Sequence, residues 1–279
     1  MYWIFAVIVG VLIILYLLWD NLTIGVQSYK VQTSRIQKAV RIVMVSDLHA
    51  RRYFQNIPQI IKNQKPDLIL LAGDMIEDRS HKRTRCVTYP FFRTTAQIAP
   101  VFAIFGNHER RVKWQQEVWD EMKRAGIRVL ENEMVHTEAQ NQPFVITGLD
   151  EGAGAYGRFH TKTPQKLQME LLKKTQAEDG VRIVMDHYPE NFANAGELSY
   201  NQCTYEVMVA GHAHGGQVRL PLIGGLYAPG QGIFPRYTKG IYRAQTSTLI
   251  VSNGLGGQWY LPRFGNRPSV YVIDMIPEE

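Results

Sequence analysis

The chain has 279 residues, enough to bury one large core with some chain to spare. Hydrophobic and charged contents of 45% and 20% exclude a disordered protein, and two distant cysteines, Cys86 and Cys203, exclude a disulfide framework or a thiolate zinc site. The net charge of +6 is unevenly placed, with no Asp or Glu from Val207 to Ile273 and a basic cluster of Arg79, Lys82, Arg83 and Arg85 around His81. Such fields favour anionic partners, and without a helix-turn-helix or RNA-binding signature nucleic acid is not expected among them.

Met1 to Trp19 carries no charged side chain. As a helix rising ~1.5 Å per residue it would reach roughly 28 Å, close to the hydrocarbon thickness of a bilayer. Trp3 and Trp19 stand at its ends, where amphipathic rings prefer the membrane interface. The basic start and small-residue cleavage site of a signal peptide are not evident. Residues 1–20 are therefore expected to be a retained, single-pass membrane anchor. Lys30, Arg35, Lys38 and Arg41 follow it with only Asp20 against them, which leans the body toward the cytoplasm. Residues 21–39 read as a polar linker leading into an edge strand, and 40–279 as the catalytic domain.

From Arg41 onward, short apolar runs end in polar turns. Arg41–Ser46 leads into Asp47-Leu48-His49, Asp67–Ala72 into Gly73-Asp74, and Val101–Phe105 into Gly106-Asn107-His108-Glu109. Phe144–Thr147 leads into Gly148-Leu149-Asp150, Val181–Met185 into Asp186-His187, and Glu206–Ala210 into Gly211-His212-Ala213-His214. Runs of this length rich in Val and Ile read as buried strands. Helices are expected between several of them: one over Val112–Ala125 with Gly126 just past its end, another opening at Thr163-Pro164. The alternation predicts an α/β fold with helices on the sheet faces and a ligand site beyond the strands' carboxyl ends. Residues 215–266 change texture to glycine, proline and aromatics, with further strands expected at Thr248–Ser252 and Ser269–Asp274.

Each motif alone is weak; together they place five of the eight histidines at strand ends. His81, His136 and His160 lie in polar stretches and read as surface residues. In Gly-His-x-His, one-residue spacing in an extended segment would aim both imidazoles to one side.

The ordered set Asp47-x-His49, Gly73-Asp74, Gly106-Asn107-His108-Glu109, His187 and Gly211-His212-x-His214 resembles the calcineurin-like metallophosphoesterase family. The resemblance implies a two-layered β-sandwich flanked by helices, here preceded by one transmembrane helix. It also implies two divalent ions: Asp47, His49 and His214 would hold one, Asn107, His187 and His212 the other, and Asp74 would bridge them. Two such ions clamp a phosphoryl group and lower the pKa of water. The oxygen and nitrogen donor set suits manganese first, with iron, zinc, cobalt and nickel as alternatives. His108 would be the catalytic histidine, with Glu109 or another acid orienting it. The purple acid phosphatase branch is disfavoured, because Glu77 stands where that branch carries a Tyr ligand.

Gly224–Pro235 and Gly254 through Pro268 further resemble a bacterial membrane-associated branch, some of whose members hydrolyse UDP-2,3-diacylglucosamine. The expected function is a membrane-anchored hydrolase of a phosphate ester or diphosphate, with a phosphorylated, lipid-linked substrate contacted by Arg51, Arg52, Arg79 and Arg83. The alternatives are a general tethered phosphodiesterase or protein phosphatase and, in another class, a non-catalytic metal-binding membrane scaffold.

Overall fold

The computed structural model describes residues 2–51, 56–150, 166–193, 199–257 and 262–278. A first helix, α1 (Tyr2–Leu22), is followed directly by strand β1 (Gly25–Thr33) and then β2 (Val40–Val45). Next come α2 (Ile57–Asn63), β3 (Leu68–Ala72), α3 (His81–Thr95), β4 (Val101–Ile104), α4 (Asn107–Arg111), α5 (Gln115–Arg124) and β5 (Arg128–Val129). The second half contributes β6 (Glu133–Ala139), β7 (Gln142–Gly148), α6 (Lys166–Ala177), β8 (Val181–Met185) and β9 (Val207–Ala210). Two short ribbons follow, β10 (Arg219–Leu220) with β11 (Gly224–Gly225) and β12 (Tyr227–Ala228) with β13 (Gly232–Ile233). The chain closes with β14 (Gly240–Arg243), β15 (Thr248–Val251) and β16 (Ser269–Pro277).

Two six-stranded mixed sheets result, ordered β1-β16-β2-β3-β4-β5 and β14-β15-β9-β8-β7-β6. In each, a parallel core (β2 to β5; β15, β9, β8 and β7) carries antiparallel neighbours. Strand alternation explains how they pack. On β2 and β3, Ile42, Met44, Leu68 and Leu70 face the second sheet's Ile146, Ile183 and Val209, whereas Val43, Val45, Ile69 and Leu71 join Phe92, Val118 and Met122 of α3 and α5. The second sheet's outer face, including Val184 and Met208, is covered by Met169 and Leu172 of α6. At the central strands both faces of each sheet are buried, so β2, β3, β4, β8 and β9 are continuous apolar runs and not alternating ones. This is the expected two-layered α/β sandwich flanked by helices.

Several local expectations are refined. The edge strand anticipated after the linker begins at Gly25, inside it, and pairs in parallel along its whole length with β16. The helix expected from Val112 starts at Gln115, and Gly126 follows its cap with φ +87°, the left-handed turn that suits glycine. Pro164 lies outside the described residues, and α6 runs from Lys166. Cys86 and Cys203 are both free thiols. Helix α1 is long and apolar enough to cross a membrane.

Candidate metal centre

The carboxyl ends of β2, β3 and β4 in one sheet and of β8 and β9 in the other meet at one edge of the sandwich. Five turns there carry the predicted residues. Asp47, His49, Asp74, His212 and His214 all have positive φ, between 46° and 65°. Non-glycine residues seldom adopt this conformation, and such strain persists only where the surroundings enforce it.

Glu109 supplies part of that enforcement. Its buried carboxylate accepts the backbone N–H groups of Asp74, Met75, Ile76 and Gly106 at 2.7–3.1 Å, tying the turn after β3 to the turn after β4. Asp47 accepts the backbone N–H of His212 at 3.0 Å, and Asp74 that of His108 at 2.8 Å. Close approach does the rest. A Cβ on Gly254 would lie 2.7 Å from the Asp47 Cβ, and one on Gly256 2.7 Å from the Asp47 carbonyl oxygen, so only glycine lets this loop cover the ligand turn.

The donors gather into sets whose ligand atoms all lie within 4.8 Å of one another: Asp47, His49 and His214; Asp74, His187 and His212; and His49, Asp74 and His108. His212 and His214 therefore do not point together. The segment is a left-handed turn instead of a strand, and its two imidazoles diverge into different sets. Asn107 is buried at the start of α4, and its Oδ1 has no hydrogen-bond partner.

These residues fit a pair of cations. His187 Nδ1 donates to the Ala72 carbonyl at 2.8 Å, which leaves Nε2 as the free lone pair, 3.2 Å from Asp74 Oδ2. Nε2 of His49 and Nε2 of His214 face each other at 3.3 Å. Burial, reinforced by the charge of His108, pushes His49 down to about 3, and burial with His49 nearby lowers His214 well below its usual range. Both rings are thus neutral, as ligands must be. Burial raises Asp47 to about 6 against the pull of His187. Burial alone would lower His187, but Asp74 overrides it and lifts the ring to about 10. That pull measures how strongly the Asp74 carboxylate favours positive charge at this position, which a divalent ion between the two side chains would also supply.

His108 directly follows Asn107 in α4 and stands on the wall of a cavity of about 170 Å³ that also exposes His49, Asp74, Asn107, His212 and His214. Its Nδ1 lies 3.2 Å from Asp78 Oδ1 and its Nε2 3.9 Å from Asp74 Oδ2. Burial would lower it, yet Asp74 and Asp78 raise it to about 9. The acid that orients His108 is Asp78 and not Glu109, which is committed to backbone. Asp78 carries no motif of its own, and only the fold of the turn after β3 brings it there. Arg111 likewise lines the cavity unanticipated.

Of the arginines expected to meet substrate, Arg79 lines the cavity and Arg51 lies near enough to Arg263 to help depress its pKa. Arg83 is exposed in the first turn of α3, away from the cavity lining. Arg52 lies outside the described residues, as does His160. His81 pairs with Glu117 at 3.0 Å and His136 with Glu178 at 2.9 Å, both away from the donor sets.

The segment 253–266 holds a residue that sequence reading passed over. Arg263 is buried and donates to the carbonyls of Asn253, Gly254, Gly256 and Asn266. It clamps the loop that covers Asp47 and His49. Asn266 donates to the carbonyls of His214 and Gln217 at 2.7 and 3.1 Å. In turn, Asp20 at the end of α1 accepts the Asn266 N–H, and Asn21 exchanges hydrogen bonds with the Arg263 backbone.

Residues 40–216 match the family model for calcineurin-like phosphoesterases. Phosphodiesterase YaeI of Escherichia coli strain K12 is 30% identical over 246 residues, covering 85% of this chain and 82% of that one. The uncharacterized metallophosphoesterase YkoQ of Bacillus subtilis strain 168 is 27% identical over 244 residues, covering 84% and 83%. Among solved structures, TT1561 of Thermus thermophilus aligns with a TM-score of 0.47 and 12% identity over 78% of this chain and 90% of that one. The matched stretch begins at β2 and ends just past His214, so it encloses every strand-end turn that meets at the metal centre: this chain belongs to the calcineurin-like phosphoesterase family.

Proposed function

We propose that this protein is a membrane-anchored, dinuclear metallophosphoesterase that hydrolyses a phosphodiester or diphosphate, with a lipid-linked substrate such as a UDP-diacylglucosamine-like molecule as the preferred class. The observation that carries the reading is the convergence of two neighbouring donor sets, each drawing side chains from the strand ends of both sheets, with Asp74 in one of them and also grouped with His49 of the other. Asp47, His49 and His214 would hold one ion, Asn107, His187 and His212 the other, and Asp74 would serve both. Manganese is the proposed metal. When bound, the pair supplies Lewis acidity at phosphorus and a nucleophile at neutral pH.

The chain's own residues do the remainder. His108 gives a proton to the leaving oxygen as the phosphorus–oxygen ester bond breaks. Asp78 holds the His108 ring by its Nδ1, so that Nε2 is the nitrogen presented to the cavity. Arg79 and Arg111 offer planar forks for the remaining phosphate oxygens, and Arg51 acts at the same rim. Residues 1–20 form the anchor, 21–39 connect it to the catalytic domain and lend that domain the edge strand β1, and 40–279 complete the domain, on the cytoplasmic side. A tethered general phosphodiesterase or protein phosphatase is the second reading; a non-catalytic scaffold is disfavoured because no ligand of the set is lost.

Screening the full chain in detergent with manganese against nucleotide-sugar lipids, phospholipids, phosphopeptides and a soluble aryl phosphodiester tests this. Turnover favouring a lipid-linked diphosphate or diester supports the reading. Turnover of phosphopeptides alone would move the protein to the second one, and none on any substrate would favour the scaffold.

A further inference from the structure

Apolar side chains are exposed in two places beyond the ordinary scatter. One is α1. The other is a run of thirteen positions, 222–234, which holds Leu222, Ile223, Tyr227, Ile233 and Phe234, with Ile233 72% and Phe234 66% exposed. Outside these two regions, the exposed large apolar residues among those described are only Val26 and Leu167. Contiguous exposed apolar groups of this size mark a surface that is covered in the working protein.

The run is built as two consecutive hairpins. The first, β10–β11, carries Leu222 and Ile223 in its turn. The second, β12–β13, carries Tyr227 and Ile233 on its paired strands and Phe234 just beyond. The Phe234 N–H donates to the Leu226 carbonyl at 3.0 Å, which joins the second hairpin to the foot of the first. Their cores are fixed to the catalytic body. Gly225 packs on Gly216, and Ala228 and Tyr237 are buried in the second sheet's outer core. The exposed side chains are therefore held outward by a rigid base.

Three features say what covers them. First, the surface is continuous with the apolar helix. Val218 bridges to Phe264, and the Phe264 ring meets Tyr16 of α1 with centroids 5.3 Å apart. Second, the segment itself carries one sign of charge, although the Glu190 carboxylate lies against Gly230 in the second hairpin's turn. No acid occurs between Val207 and Ile273, while Arg219, Arg236, Lys239 and Arg243 flank the hairpins. A mixture of apolar tips and basic neighbours is complementary to an anionic headgroup layer over acyl chains. Third, the surface borders the site, because Pro229 in the turn of the second hairpin lines the catalytic cavity.

We propose that the paired hairpins of residues 217–234 are a bilayer-seating surface, which sets the rim of the phosphoesterase cavity into an anionic lipid interface. This rests on the reading of α1 as a membrane anchor and extends it: the helix would fix the protein to the bilayer, and the hairpins would fix which way the cavity faces. Substrate then enters from the membrane plane.

Depth-dependent quenching tests this on the full chain. In a Cys86→Ser background, which keeps only the buried native Cys203, one exposed cysteine per variant is introduced as Ile223→Cys, Phe234→Cys, Val9→Cys within α1, or Glu138→Cys, with the unsubstituted background as the labelling blank. Glu138 is exposed near the turn joining β6 to β7, at the end of the second sheet away from the site. Each variant is labelled with an environment-sensitive fluorophore and reconstituted into phosphatidylcholine–phosphatidylglycerol vesicles with or without lipids carrying a spin label high on the acyl chain. Interfacial apolar faces sink about 5–10 Å into the headgroup boundary, within reach of that quencher. The labels at 9, 223 and 234 should be quenched several-fold more than the label at 138. If 9 is quenched but 223 and 234 match 138, the hairpins do not seat in lipid and the anchor reading survives alone. If 9 is also unquenched, the anchor reading itself fails and this inference with it. A blue shift at 223 and 234 without quenching would mean that protein covers the surface, either a partner or a second copy, and would overturn the proposal.

Discussion

The strand-end turns between Asp47 and His214 and the irregular segment from Gly215 to Arg267 build the same site by different means. The first region places ligands. Its strands are buried on both faces, so each is a plain apolar run, and the polar residues that follow are conspicuous by contrast. The second region places no proposed ligand. It works through backbone: Gly254 and Gly256 lie against Asp47, the Arg263 guanidinium gathers four carbonyls, and Asn266 holds the carbonyl of His214. Side-chain chemistry can be read along a chain, whereas a network whose acceptors are carbonyls leaves only glycines and one buried cation as its trace.

That contrast can be broken from either side. Asp74→Ala removes the carboxylate proposed to serve both ions and should reduce turnover to background, with metal content falling in parallel; elemental analysis and a phosphodiester assay read both. His108→Ala should lose activity by ~10²–10⁴-fold while keeping its metal, since general acid help is worth about that much. A metal-free His108→Ala protein would make His108 a ligand and not an acid.

Arg263→Met strikes the second region. Unpaired buried carbonyls cost about 1–3 kcal/mol each, so a loss on the order of 3 kcal/mol is expected even after partial relaxation. At that size the melting temperature should fall by roughly 6–12 °C. Because the clamped loop covers Asp47 and His49, metal affinity should weaken as well; a melting temperature unchanged from wild type would mean that Arg263 is dispensable to the loop. Asp78→Asn should have the smallest effect. A hydrogen bond to a charged group is worth about 1.5–3 kcal/mol, so its weakening should slow turnover by roughly ten- to hundredfold at most, with no loss of metal.

How much was legible follows from the same division. Asp47, His49, Asp74, Asn107, His187, His212 and His214 stand at or beside strand ends in the sequence, and the folded chain brings all seven to one place. The α/β sandwich was readable from its apolar runs. Where strand β1 begins was not, because an edge strand with half its side chains in water alternates polar and apolar residues and looks like a linker. The divergence of His212 and His214 was also hidden, since their spacing fits an extended strand and only the left-handed turn separates their rings. Asp78 was invisible because it reaches His108 through a turn that has no periodicity.

Metal dependence of phosphodiester hydrolysis, measured with metal content on the same preparations, tests the central claim most directly. Wild-type protein should contain two divalent ions per chain, lose its turnover of an aryl phosphodiester on chelation, and regain it with manganese. Full turnover by protein shown to be metal-free would contradict the account.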